Sequence, residues 1–171
     1  IKVSYESLVT WKMHTDYLRC NPLFHGAPRY DCVLIHDTSG NYFGQLLFMF
    51  THNINASGQH TDIPLALIQP FDSVPLQQRD VELRLIRLKE KPRKQAIIIP
   101  ARSIIRGAFI VPAGKAEPTY LVVHTIDTDM FIRMHSMYPP ENIMDYEESV
   151  TESGGEGSEE ENGETSSNES R

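Results

Sequence analysis

Long apolar runs are missing from this sequence. It has no stretch of eighteen apolar residues that could span a membrane, and no charged and then apolar segment typical of a secretory signal. Cysteine is scarce as well. The chain has only two cysteines, Cys20 and Cys32, which suits a reducing compartment in which their thiols stay unpaired. We therefore expect a soluble intracellular protein. Because the chain begins with Ile1 inside a strand-like pattern, we also expect it to be a piece of a longer protein.

Motifs for nucleophilic catalysis are missing too. The chain contains no G-x-S-x-G, no Walker loop, no H-E-x-x-H and no G-x-G-x-x-G. It also lacks an amphipathic stretch of a dozen residues, so strands are expected to outnumber helices. We predict a mainly antiparallel all-β domain over residues 1–144 with few short helices, either a small barrel or a sandwich of the SH3-like or BAH-like kind.

The clearest structural pattern lies in residues 30–50, where two apolar runs flank a polar turn at residues 37–41. This pattern predicts a central β-hairpin whose second strand is covered on both faces. In residues 79–89, apolar and charged residues alternate, which favours a half-exposed strand over the competing helix. The residues predicted to be buried are Val33, Ile35, Leu46, Phe48, Leu67, Leu83, Leu85, Ile98 and Val122.

The last segment differs in composition from the rest. From Asp145 onward the chain holds ten acidic residues and one basic residue, so this segment carries a net charge of −9 and residues 1–144 carry +2. Glu, Ser and Gly dominate it and cannot bury enough apolar surface to order the chain. We predict that residues 145–171 form a disordered acidic tail, and that deleting residues 149–171 leaves the melting temperature nearly unchanged.

Basic residues concentrate between Arg79 and Arg106. This segment contains nine Lys or Arg residues and three acidic residues, which gives it a net charge of +6. If this segment forms neighbouring strands, its outward side chains make a positive strip that can follow a phosphate backbone. The alternative is a solvated sheet face with an exposed loop. The residues predicted to contact nucleic acid are Arg84, Arg87, Lys89, Lys91, Arg93 and Lys94.

Two groups of residues have side chains that can bind metals. The first is His14, Cys20, His25 and Cys32, which lacks the close pair typical of zinc sites, so a buried cysteine and polar loop histidines are the alternative. The second is His124, Asp127, Asp129 and His135. Two of its carboxylates would share one face if the segment were extended, but a solvated turn is the alternative. We predict no metal and no cofactor.

Three phrases of the sequence resemble a known group of proteins: YESLVTWKMHTDYLRCNPLFHGAPRYDCVLI, SIIRGAFIVP and YLVVHTIDTDMFIRM. They resemble the β-rich C-terminal segment of uncharacterised proteins of mushroom-forming fungi, many derived from transposons of the Kyakuja-Dileera-Zisupton or Plavaka type. The resemblance covers roughly residues 1–138 and implies a nuclear, DNA-associated setting. Transposase catalysis needs an acidic triad on an RNase H-like α/β core, which the strand pattern here does not offer.

Three functions follow as hypotheses. The first is a non-catalytic β-domain that binds DNA or chromatin without sequence preference. The second is a protein-interaction or assembly domain with no nucleic-acid role. The third is a metal-dependent enzyme that uses His124, Asp127 and Asp129. A continuous positive strip would favour the first, an exposed apolar patch the second, and carboxylates converging in a cleft the third.

Overall fold

Antiparallel strands dominate the computed structural model, which describes residues 1–56, 59–75, 80, 83, 85–114 and 118–139. The predicted antiparallel all-β class is confirmed. The predicted boundary at residue 144 and the predicted tail, residues 145–171, lie outside the described residues. No helix in the described part of the chain is long and apolar enough to cross a membrane.

The described residues contain twelve β-strands and one α-helix. In chain order they are β1 Lys2–Glu6, β2 Met13–Tyr17, β3 Cys20–Phe24, β4 Ala27–Tyr30, β5 Cys32–Asp37, β6 Gly40–Ala56, β7 Gln59–Ser73, β8 Ile86–Glu90, β9 Ile97–Pro100, β10 Ile104–Ala108, β11 Ile110–Pro112, β12 Thr119–Val122 and α1 Thr128–Met137. The one large sheet has the order β10-β5-β6-β7-β8-β12-β11, and β9 pairs with β7 beside β8. Strands β1 and β2, and strands β3 and β4, form separate hairpins.

The large sheet is open. Its end strands β10 and β11 are not paired with each other in the described residues, so the barrel, one of the two predicted alternatives, does not close. Strand β7 is long enough to hold two short strands in succession along one edge, β9 at residues 65–68 and β8 at residues 71–73. The sheet therefore branches at β7.

The predicted central hairpin is confirmed. Strands β5 and β6 pair in register from Cys32 opposite Gln45 to Asp37 opposite Gly40, which leaves a turn of two residues. Gly40 has a φ of 114°, a backbone conformation that glycine adopts without the steric cost of a side chain. The Asp37 carboxylate accepts hydrogen bonds from the amide and the hydroxyl of Ser39, and these bonds lower its pKa.

Two hydrophobic cores lie on opposite sides of β5. Val33 and Ile35 belong to the first core with the β1–β2 hairpin, and Leu34 belongs to the second with α1. Helix α1 begins at its N-cap Asp127 and buries Met130 and Met134, which lie one turn apart on the same face. Strand β5 is therefore covered on both faces. Strand β6 is covered on both faces only in its first part, where Phe43 packs in the second core and Leu46 in the first, so the prediction for β6 holds there and fails from Phe48 onward.

Four of the residues predicted to be buried are fully buried: Val33, Ile35, Leu46 and Val122. Leu67 and Leu85 are half-buried. Phe48, Leu83 and Ile98 are exposed, at 57%, 55% and 59% of their surfaces, so these three predictions are wrong.

A β-bulge explains the exposure of Phe48. Leu46 lies opposite Ile68 and Phe48 lies opposite Leu67, so two residues of β6 advance against one residue of β7. The extra residue reverses the alternation of side chains between the two faces. Leu46 therefore faces the first core and Phe48 faces away from it.

The segment of residues 79–89 differs from the predicted strand. Strand β8 begins only at Ile86, its inward residues are Ile86 and Leu88, and Leu83 lies in a turn. The Leu85 amide donates a hydrogen bond to the Asp80 carbonyl, and this bond brings the two residues together just before strand β8 starts. Residues 79, 81, 82 and 84 lie outside the described residues.

Candidate interaction surface

Six apolar residues lie side by side on the face of the sheet that is turned away from the first core. Phe48 is opposite Leu67, which is opposite Ile98, and the next row has the same order in β6, β7 and β9. Residues directly opposite each other share one face of a sheet. We call this set the outer stripe: Phe48, Phe50, Leu65, Leu67, Ile98 and Pro100. Neither core cluster of the described residues includes any of the six.

The outer stripe is apolar and partly open to solvent. More than half of the surface of Phe48 and of Ile98 is exposed, and the rings of Phe48 and Phe50 stack with centroids 6.0 Å apart. The same face continues through His52 and Ile54 of β6. From Phe48 to Ile54 this face extends for about 20 Å at the rise of a β-strand.

The continuation runs along an arm, which we define as residues 51–56 paired with residues 59–64. In the described part of the chain, these residues pair only with each other, because β5 ends its pairing at Gln45 and β9 begins at Leu65. The opposite face of the arm is polar, with Asn53 bonded to Asp62. A lone two-stranded ribbon gains little stability by itself, so packing against a partner would stabilise the arm.

Basic residues stand at both ends of β9. Arg93 and Lys94 lie in a 3₁₀ turn before the strand, and Arg102 lies in a 3₁₀ turn after it. Both turns contact β7. All three side chains are exposed, and none forms an ion pair with another described residue. The outer stripe therefore has cations along the β9 side.

Strand β9 has an open edge. Its four residues pair with residues 65–68 of β7, and no other described strand pairs with it. The three consecutive isoleucines of β9 favour the extended conformation because they branch at Cβ. The backbone groups on its other edge are therefore available for hydrogen bonds.

Five of the six residues predicted to contact nucleic acid are described, and two of these five are paired with carboxylates. Arg84 lies outside the described residues. The Arg87 guanidinium donates to both oxygens of Asp80, at 2.7 and 2.8 Å, and to the Thr119 hydroxyl at 3.2 Å. The Lys91 ammonium lies 2.9 Å from the Asp72 carboxylate. Lys89, Arg93 and Lys94 are exposed. The alternation of charges in the sequence does not reveal that Arg87 is hydrogen-bonded to Asp80 and to Thr119.

Arg106 contributes to the basic segment in sequence but lies inside the fold. Only 7% of its side chain is exposed. Its guanidinium donates to Asp129 at 2.6 Å and to Asp127, and stacks over the Tyr5 ring with its central carbon 4.4 Å from the centroid. The Asp16 carboxylate lies 3.7 Å from its Nε. The network joins β1, β2, β10 and the start of α1.

The second group of metal-binding residue types contains the same two carboxylates, Asp127 and Asp129, and the structure gives them another role. Asp127 accepts the amide hydrogens of Asp129 and Met130 as the N-cap of α1, so this segment is not extended. Burial raises the pKa values of Asp127 and Asp129, but hydrogen bonds from arginines and backbone amides outweigh burial and hold both pKa values below the ordinary range. His124 is buried with its ring 5.8 Å from Phe131. Both carboxylates are thus bound by arginine side chains.

The first group of metal-binding residue types is dispersed. His14 lies on β2, His25 lies in the turn between β3 and β4, and Cys20 and Cys32 begin different strands. Burial raises the pKa of Cys32 to about 12, so its thiol stays protonated at neutral pH. Across the described residues, no three His, Cys, Asp or Glu side chains are placed to hold a metal ion.

An open cleft of about 450 Å³ lies beside the Arg106 network. Its two arginines are already paired with its carboxylates, Arg29 with Asp31 at 2.9 Å and Arg106 with Asp127. Each arginine of the cleft thus has a carboxylate partner.

Comparison of the chain with protein-family models, with curated proteins and with solved structures found no match.

Proposed function

We propose that this domain is a non-catalytic protein-interaction module that binds a partner through the outer stripe. The observation that carries the proposal is the exposure of Phe48 and Ile98, each more than half open, on one face across three strands. Covering a large apolar side chain contributes roughly 1.5–3 kcal/mol when burial is complete. Single exposed apolar residues are ordinary, whereas adjacent ones on a sheet face mark a binding surface.

The charges around the outer stripe select the chemistry of the partner. Arg93, Lys94 and Arg102 border the stripe at the two ends of β9, and no acidic residue belongs to the stripe. Complementary charges speed association and exclude wrong partners. The partner is therefore a protein segment with apolar side chains in its centre and acidic residues at its ends.

The area of the outer stripe limits the size of the partner. Three strands about 4.8 Å apart, over a length of about 13 Å set by the short strand β9, give a surface of roughly 190 Å². A stable interface between folded proteins needs about 800 Å² on each side. A short segment fits this area better than a second copy of the domain.

A displayed library of random dodecapeptides tests the proposal. We expect selection on residues 1–144 to enrich peptides that combine apolar residues with Asp or Glu, and we expect Phe48→Ser together with Ile98→Ser to abolish their binding. The matched control is Phe109→Ser with Ile126→Ser, because these two residues are exposed to a similar degree elsewhere, at 57% and 67%. Enrichment of no sequence family, or equal binding to the Phe48 and Ile98 variant, would show that the proposal is wrong.

Weak binding to duplex DNA is a second candidate function. Lys89, Arg93 and Lys94 are exposed within one short segment, which favours contact with phosphates. If these three residues engage three phosphates, log affinity should fall against log salt with a slope of about −2.7. Replacing each by Ala should flatten the slope by roughly one unit, and deleting the acidic residues 145–171 should tighten binding. An affinity unchanged by the triple replacement would exclude this candidate.

A further inference from the structure

The open edge of β9 specifies how the partner binds, provided that the outer stripe is the binding surface. We propose that the partner segment adds to the sheet as one more β-strand, hydrogen-bonded to the free edge of Ile97–Pro100. The backbone groups of β9 are paired on the β7 side alone within the described residues. An unpaired strand edge is a ready template for an extended peptide.

The added strand would also extend the outer stripe. Neighbouring strands lie about 4.8 Å apart, so every second side chain of the added strand would lie on the same face as Ile98, and one of them would lie next to it. The row that runs from Phe48 through Leu67 to Ile98 would then gain a fourth apolar residue. Main-chain hydrogen bonds would supply affinity, and the apolar contacts would supply selectivity.

The ends of the added strand would meet cations. Arg93 and Lys94 precede β9, and Arg102 follows it, so a segment of about eight residues would pass all three. Glutamate or aspartate at both ends of the segment would pair with them. The partner is thus an extended peptide with alternating apolar residues and acidic flanks.

The same charges disfavour a second copy of the chain. If β9 paired with the β9 of another copy in antiparallel fashion, Arg93 and Lys94 of one copy would lie beside Arg102 of the other. Like charges directly opposite each other destabilise strand pairing.

Protection against aggregation is the competing explanation for these basic residues. Proteins often place Lys, Arg and Pro beside exposed strand edges to prevent self-association. That explanation predicts no preference for an acidic peptide. A binding measurement with charge-matched peptides therefore separates the two.

The test uses synthetic peptides of about nine residues in which Val and Thr alternate. One peptide carries two Glu residues at each end, a second carries Lys instead, and a third repeats the Glu peptide with N-methyl groups on alternate amides. Fluorescence polarisation at low salt should show binding of the Glu peptide that is tighter than binding of the Lys peptide by roughly tenfold or more. N-methylation should remove binding, because it blocks the donors of the added strand.

Hydrogen–deuterium exchange of the protein locates the contact. We expect amides of Ile97–Ile99 to exchange more slowly when the Glu peptide is bound. Equal affinity of the N-methylated peptide, or unchanged exchange in β9, would overturn strand addition. If Phe48→Ser with Ile98→Ser still weakens binding in that case, the outer stripe stands as the binding surface. If these substitutions also have no effect, the proposed function fails together with this inference.

Discussion

Phe43 and Phe48 lie five residues apart on β6 and have opposite environments. Phe43 is 1% exposed and packs in the second core, while Phe48 is 57% exposed on the outer stripe. Both belong to one apolar run of the sequence. Both rings face the side of the sheet that is turned away from the first core, but α1 covers that side near Phe43, whereas no described element covers it beyond the bulge. An apolar strand is therefore not by itself evidence of two covered faces.

The cations of the molecule divide in the same way. Arg106 lies inside the fold and touches the carboxylates of Asp127 and Asp129. Lys94 lies at the rim of the outer stripe with no ion pair among the described residues. Side chains of one charge thus stabilise the fold in one region and remain available to a partner in the other.

The largest expected effect is a contrast between the two phenylalanines. Phe43→Ala should lower the free energy of unfolding by about 3–5 kcal/mol, since it empties a packed aromatic site. Phe48→Ala should lower it by about 1 kcal/mol at most, because solvent already reaches its ring. Urea denaturation of both variants measures the contrast. Equal losses would mean that the outer stripe is covered within the domain.

A smaller contrast is expected between two aspartates. Asp129→Asn should lower the free energy of unfolding by about 1.5–3 kcal/mol, because Asp129 accepts charged hydrogen bonds from Arg106 and Arg133 while 6% exposed. Asp72→Asn is the matched control and should cost about 0–1 kcal/mol, because its pair with Lys91 is open to solvent. Similar losses in urea denaturation for both variants would contradict the assigned role of the Arg106 network.

The free energy of unfolding at acid pH should also depend on the Arg106 network. The pKa values of Asp127 and Asp129 are lowered in the folded protein, so their contribution is present above the ordinary carboxyl value of about 3.9. It is lost as the pH falls through the lowered folded values. Denaturation between about pH 5 and pH 2 should therefore show a falling stability that Asp129→Asn makes shallower. An identical slope in both proteins would rule out this contribution.

Local patterns of the sequence predict local structure well here. The hairpin of β5 and β6 follows from two apolar runs around a turn with Gly40, and Val33 and Ile35 follow from their place in the first run. The outer stripe was not predicted, because its residues look like core residues. The bulge after Leu46 has no evident sequence signal, yet it decides which face Phe48 occupies.

The amino-acid sequence alone determined the antiparallel β class, the central hairpin and the clustering of positive charge in residues 79–106. These properties depend on residue types and on spacings of a few positions. Only the tertiary structure decided which apolar residues are covered and which cations are free. Ile98 is exposed because nothing described packs beyond β9, and Arg106 is buried because Asp127 and Asp129 meet it from more than twenty positions away. Such contacts join distant parts of the chain, and no local pattern encodes them.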